Sequence, residues 1–426
     1  MRKHLRNPFL CGIICLILWQ TISLRVDGQS NSAIIFDQHQ SAVFGSYNLL
    51  TLHRGLYTLE DKYIPNNPFR ENNFWKKTAG FGYRLVKLLA LDAQIDHLMA
   101  LTQHEVFGHG SRFRELGYTG NSFNLNMYFP FGNGSGFARW GTLGSKYTYP
   151  TTQEVMTMQL SGVGGEAQLA NDLSAQILSD DTLHYRQGML YLIAQNNLLL
   201  YTFYTRFTPT KNLKAGNDMV NYMNQINYLY LIPVGKKYNI TRLSNQSLLA
   251  LANPLQAYAA FSILYTYGIK GQSQLKRLPM IRMGKVRYLP ALGYALSPFG
   301  GEFHFINYIR YKSILFCGDF SLGDNTFKDF YGISLKGYNI LNLKWLALNA
   351  HLDFWNQPKL ELDSYQKTTV GNYPGAAVKL DVMLHPFKLP HQLGIFLQTG
   401  YKSKGYLLGE TLAPSFILRY GISMHF

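Results

Sequence analysis

The amino-acid sequence predicts an α+β fold in which a large helical insertion precedes the antiparallel strands of a C-terminal membrane β-barrel. Three observations carry that reading. From about Arg282 apolar residues recur at every second position, from about Trp75 to Lys270 they recur at helical spacing, and the 426-residue chain is 47% hydrophobic but only 15% charged, with 30 Tyr and 38 Gly. So little charge excludes a disordered tail or a coiled coil. A mean hydropathy of −0.09 argues against a bundle of wholly apolar helices.

The N-terminus reads as an export address. Arg2, Lys3 and Arg6 precede the apolar run from Pro8 to Trp19, and a polar stretch follows, the layout of a secretory signal peptide. Residues 1–28 are therefore set apart from the fold, with an uncleaved membrane anchor as the alternative. Cys11 and Cys15 fall in this segment, so Cys317 alone would remain and no internal disulfide could form. Residues 29–74 are expected to be extended and could join the barrel as a strand. Thirteen Lys and Arg lie between Thr182 and Gly301, where Asp218 is the sole acid. An exported chain of this charge meets anionic lipid or lipopolysaccharide before it meets nucleic acid, so the membrane surface is the expected partner.

Residues 75–270 are expected to be helical. Thr78–Leu116 contains few helix breakers, and Thr151 with Glu154 can form a capping box that opens a helix running to about Leu178. Further helices are expected at Leu183–Phe207, Asp218–Leu231 and Pro254–Gly268. The uncharged stretches Gln187–Thr205 and Leu243–Ile269 are interrupted by Asn and Gln. Such interruptions favour helices packed on one another, inside or beneath a barrel, over membrane spans.

About eight strands are expected in residues 271–426. Leu346, Leu348, Ala350, Leu352 and Phe354 alternate with Ala347, Asn349, His351 and Asp353, as a strand between lipid and a wet interior requires. A soluble sandwich with one buried face is the alternative. In the last segment Phe416, Leu418, Tyr420, Ile422, Met424 and Phe426 form one face. That segment resembles the C-terminal signature of Gram-negative outer-membrane β-barrel proteins. The resemblance covers roughly the last third of the chain and implies a place in the bacterial outer membrane.

The sharpest local motif is Gln-His-Glu-Val-Phe-Gly-His-Gly, residues 103–110. It resembles the zincin metallopeptidase motif, which implies that His104 and His109 hold Zn²⁺ and that Glu105 activates a water. With 12 His and nine Glu in the chain, this pattern arises by chance only about 0.01 times. The spacing departs from that family, since His109 follows His104 by five residues rather than four. On a regular helix five residues turn through about 500°, leaving the imidazoles about 140° apart. A π-bulge at Val106–Gly108 would realign them. Otherwise Glu105 and His109 could serve as an i,i+4 ligand pair, with His104 as acid–base or supporting partner. A purely hydrogen-bonded structural cluster is the rival reading.

In the gluzincin branch of that family the third ligand is a Glu on a later helix. The resemblance thus implies Glu166, in Gly164-Gly165-Glu166-Ala167, with Gly162, Gly164 and Gly165 allowing close helix approach and Asp172 as an orienter of imidazole. His97 lies on the same helical face as His104 but suits a structural role better, and Asp92 and Asp96 suit the orientation of His or Arg side chains. Gly132–Gly136 lacks the Lys of a phosphate loop, and no Ser-His-Asp order, Cys-x-x-Cys pair or dinucleotide fingerprint occurs.

The sequence therefore points to an outer-membrane, metal-dependent hydrolase resembling a zinc metallopeptidase. His104, His109 and Glu166 would hold Zn²⁺ and Glu105 would serve the cleavage of a peptide or ester bond. Two rivals stand beside it: a non-catalytic barrel for transport or adhesion whose helices fill the lumen, and an intramembrane metalloprotease.

Overall fold

The computed structural model describes residues 31–425 except 70–72, 146, 148, 214–215, 231, 233, 326–327, 344, 361–370 and 386–392. The expected signal peptide and the terminal Phe426 lie outside the described residues.

The period-two region forms eight long antiparallel strands, beginning with Val286–Ser297 and ending with Ser415–His425. Each pairs with the next along the chain. Asn31–Phe36 adds a ninth strand, lying antiparallel beside the last with Asn31 opposite His425 and Phe36 opposite Tyr420. The short strand Ile281–Met283 forms the other edge of this ten-stranded sheet. The fold is thus α+β with a large antiparallel sheet, and among the described residues no ladder joins its two edges.

The expectation of extended chain over 29–74 holds only for its beginning. Ala42–Tyr63 is a 22-residue helix, N-capped by Ser41, whose hydroxyl accepts from Phe44 N at 3.2 Å. Its buried face carries Leu49, Leu50 and Tyr57 but also Ser46, Thr51, His53, Arg54 and Glu60. So many polar residues on the packed side blunt the hydrophobic periodicity that would have revealed it.

Residues 74–115 form one helical run, interrupted by π turns at Leu88–Asp92 and Gln103–His109. Thr152–Asp180 opens with the expected Thr151–Glu154 capping box. Tyr185–Phe207 and Asp218–Leu229 follow, and Pro254–Phe261 passes into a third π segment, Ser262–Ile269. Leu169, Leu173, Leu190 and Leu255 of the helices share one apolar core with Leu289, Ala291 and Tyr308 of the sheet. No single described helix is long and apolar enough to cross a membrane; only the bent pair Val234–Ala252 and Pro254–Ile269, kinked by 65°, meets that test together.

The sheet is inverted relative to a water-soluble one. On Ser415–His425 the apolar Leu418, Tyr420 and Ile422 are 61%, 59% and 52% exposed, while Arg419 and Ser423 are buried. Across the neighbouring strands Asn349, His351, Asp353, Lys379 and Asp381 are likewise buried, and Phe354 and Val378 exposed. The inward polar groups meet polar partners. Tyr47 of the first helix donates to Asp381 at 3.1 Å, and Arg419 pairs with Asp37 at 2.9 Å and Glu410 at 2.7 Å.

Between the helices lies a buried ionic knot. Arg186 reaches Asp96 and Glu60, each at 2.6 Å, Lys87 reaches Asp92 at 3.0 Å, and His53 meets Asp96 at 3.1 Å. Asp92 and Asp96 thus hold cationic and imidazole side chains, as their spacing suggested. Arg186→Met would leave buried carboxylates without their guanidinium and is expected to cost about 3–5 kcal/mol. Chemical unfolding of the purified variant checks this, and an unchanged midpoint would contradict it.

Candidate metal centre

The site begins with one surplus residue in a helix. Within Gln103–His109 the backbone adopts π geometry, and Gly110 N donates to Glu105 O, five residues earlier. The wider turn absorbs the residue that separates this motif from the usual spacing, at the place where the sequence called for a bulge. The rings of His104 and His109 consequently lie side by side, 5.0 Å between centroids.

The Thr152–Asp180 helix packs against this turn with almost no side chain between. A Cβ on Gly108 would stand 2.4 Å from Ser161 O, and one on Gly165 would stand 2.8 Å from Gln103 O. Only glycine permits that approach. Gly164 faces the other way, toward Leu408 and Tyr406. Gly162 is the floor of the site: a Cβ there would lie 2.3 Å from His104 Nε2 and 2.5 Å from His109 Nε2. Both Nε2 atoms therefore aim at one small space.

Their other ring nitrogens are occupied. His109 Nδ1 lies 2.7 Å from Met158 O, which can only accept, so Nδ1 carries a hydrogen and Nε2 is the nitrogen that can ligate once it gives up its own proton. His104 Nδ1 lies 2.9 Å from Glu166 Oε2, and the Asn197 amide donates to the same oxygen. Glu166, expected as the third ligand, thus stands behind His104 and fixes its ring, the arrangement common to metal-binding histidines. Asp172, expected as an orienter, instead accepts from Gln168 at 2.9 Å on the same helix, away from the site.

Beside the two imidazoles stands Asp218, at the first turn of Asp218–Leu229. Its Oδ2 lies 3.6 Å from His109 Nε2. His104, His109 and Asp218 each offer one ligand atom, all within 4.8 Å of one another, and could hold a metal ion. Tyr201 braces the aspartate: its hydroxyl donates to Oδ2 at 3.3 Å and accepts from Asp218 N at 3.1 Å. Sequence reasoning did not propose Asp218, yet a signal was there, since it is the sole acid among thirteen bases.

Glu105 is buried but borders the same cleft, and its carboxylate forms no hydrogen bond among the described residues. The backbone of Gly136 lies over it; a Cβ there would stand 2.7 Å from Glu105 Oε1. It is not one of the three residues grouped around a possible metal position. His97 bonds to Gly134 O at 3.1 Å and stacks on Tyr128, and so supports two residues that line the cleft.

Electrostatics follow the burial. Burial raises the Glu105 carboxyl, against the pull of His104 and His109, and drives Glu166 well above the usual range. Burial likewise lowers His104. For His109 burial is outweighed by Asp218, Glu105 and the Met158 carbonyl, which together hold its proton up to about 9. The cleft over the site has a volume of about 930 Å³, large enough for a substantial ligand. No protein-family model matches the chain, and neither a curated protein nor a solved structure matches it significantly.

Two outcomes follow for metal binding. Asp218→Ala should abolish tight Zn²⁺ binding, whereas Glu166→Gln, which only loosens His104, should weaken it by about 10–100-fold. Equal effects in a competition titration would contradict the separate roles. Because His109 must lose a proton to ligate, and holds it up to about 9, apparent affinity should rise up to about tenfold per pH unit from neutrality and level off above that value. Affinity independent of pH between 7 and 9 would contradict this.

Proposed function

We propose that the protein is an outer-membrane, zinc-dependent hydrolase. The observation that carries the catalytic reading is the convergence of two imidazole Nε2 atoms and one aspartate oxygen at the floor of a large cleft, with a buried carboxylate, Glu105, bordering it. Two nitrogens and one oxygen, with further positions left open, suit a catalytic zinc site. Bound zinc would polarise a carbonyl oxygen and bring the pKa of a water close to neutrality.

The remaining work falls to the chain's own side chains. Glu105, with its proton affinity raised by burial, takes the proton from the attacking water and returns it to the leaving group. Glu166 and Met158 O hold the two imidazoles in register, Tyr201 holds Asp218, and the Gly136 strand excludes bulk water from Glu105. The scissile group is a carbonyl of a peptide or an ester.

Membrane residence is supported by the inverted sheet. An exposed row such as Leu418, Tyr420 and Ile422 over a buried, charged face is costly in water and favourable in lipid. The closing of such a sheet into a barrel wall, with helices filling what strands leave open, belongs to the same reading. The polar cavity between the sheet and Thr152–Asp180, bordered by Asp172, Glu302, His304, Lys336 and Asp353, favours transport through the interior as a second reading.

Glu105→Gln tests the catalytic claim. The variant should keep one zinc per chain and lose about 10²–10⁴-fold in hydrolysis of an ester or peptide library. Unchanged turnover would remove Glu105 as the base, and loss of the zinc would make it a ligand instead.

A further inference from the structure

The walls of the cleft indicate what enters it. Around the ligand residues they are built from Phe113, Tyr128, Phe137, Trp140, Leu200 and Tyr204. Five of these also form the outer surface: Tyr128, Phe137, Trp140, Leu200 and Tyr204 are 42%, 46%, 55%, 61% and 53% exposed. The mouth of the cleft therefore opens onto apolar surface. That surface continues to Phe207, one turn beyond Tyr204 and 70% exposed. A rim of this kind is unfavourable against water and suits contact with acyl chains or the aromatic belt of a membrane interface.

Apart from the histidines, Glu105 and Asp218 of the site, the cleft offers one charged side chain to a ligand. Among the described lining residues Arg139 is its one Lys or Arg, exposed at the end of the Gly136–Arg139 strand, with its guanidinium 5.6 Å from the centre of the Phe137 ring. A cleft with an apolar rim, amide side chains such as Gln159, Asn197 and Asn221 in its lining and a single cation matches an amphiphile that has an acyl chain and an anionic head. Guanidinium binds phosphate in particular through paired N–H donors.

We propose that the substrate of this site is the acyl ester of an anionic membrane phospholipid. The proposal rests on the hydrolase reading above and narrows it. The acyl chain lies along Trp140, Leu200 and Tyr204, the phosphate meets Arg139, and the ester carbonyl lies over the floor formed by Gly162. Water adds to that carbonyl, the acyl carbon–oxygen bond breaks, and Glu105 carries the water proton to the departing alkoxide. The products are a carboxylic acid, which then loses its proton to solvent, and a lysolipid alcohol, and no oxidant or reactant besides water is needed.

Two measurements on the full chain in lipid nanodiscs test this. The first is independent of metal and turnover: phosphatidylglycerol bearing a diazirine in one acyl chain is photolysed, and adducts are mapped by mass spectrometry. Adducts on Trp140, Leu200 or Tyr204 are expected, reduced at least fivefold by excess phosphatidylglycerol but not by phosphatidylcholine in the wild type, with that preference lost in Arg139→Gln. The second uses the zinc-loaded protein and p-nitrophenyl esters from acetate to decanoate, for which kcat/KM should rise at least tenfold with chain length. Adducts confined to the outer sheet face, or a flat chain-length profile with acetate still hydrolysed, overturn the lipid proposal and leave the hydrolase reading standing. Absence of both bound zinc and hydrolysis of every ester overturns the hydrolase reading itself.

Discussion

The site depends on where one helical residue is accommodated. His104 and His109 are five apart, and a regular helix would send them to different faces. The π turn across Gln103–His109 removes that conflict, and the neighbouring helix is shaped to receive it. Gly162 leaves room where the two Nε2 atoms meet, while Gly108 and Gly165 remove the side chains that would hold the helices apart. A regular turn at this position would separate the imidazoles, and with them would go the roles of Glu166, Met158 and Asp218, each of which acts through one ring.

The same helix, Thr152–Asp180, links the site to the sheet. It presents Gly162, Gly165 and Glu166 to the histidine helix, while Gln168, Asn171 and Asp172 border a cavity that Glu302, His304, Lys336 and Asp353 of the strands also line. An inverted sheet creates a demand for polar partners on its inner face, because buried charges without partners are costly. Tyr47 answering Asp381 and Asp37 answering Arg419 meet part of that demand. The polar residues that hide the first helix from a hydrophobic pattern serve mainly the other helices, His53 meeting Asp96, Arg54 meeting Asp180 and Glu60 meeting Arg186.

Much of this was legible in the residues. Strict alternation marks the eight long strands because each one separates an apolar from a polar side, and the Thr151–Glu154 box marks the start of its helix because capping is local chemistry. The extra residue between His104 and His109 announced a bulge. The third member of the ligand group was harder to read. Asp218 lies far along the chain, is brought near only by helix packing, and follows no spacing rule; its isolation among basic residues was the one local sign. Glu166 was expected beside the imidazoles and stands there, at His104 Nδ1 rather than in the ligand group, since a sequence does not say which side of a ring a carboxylate will approach.

The central claim is that the two imidazoles and Asp218 bind one metal ion. X-ray absorption at the zinc edge of the loaded protein measures this directly. The account predicts a shell of nitrogen and oxygen neighbours at about 2.0–2.2 Å with the outer-shell scattering of two imidazoles, reduced to one imidazole in His109→Ala. A shell with no imidazole scattering, or one that His109→Ala leaves unaltered, would contradict it.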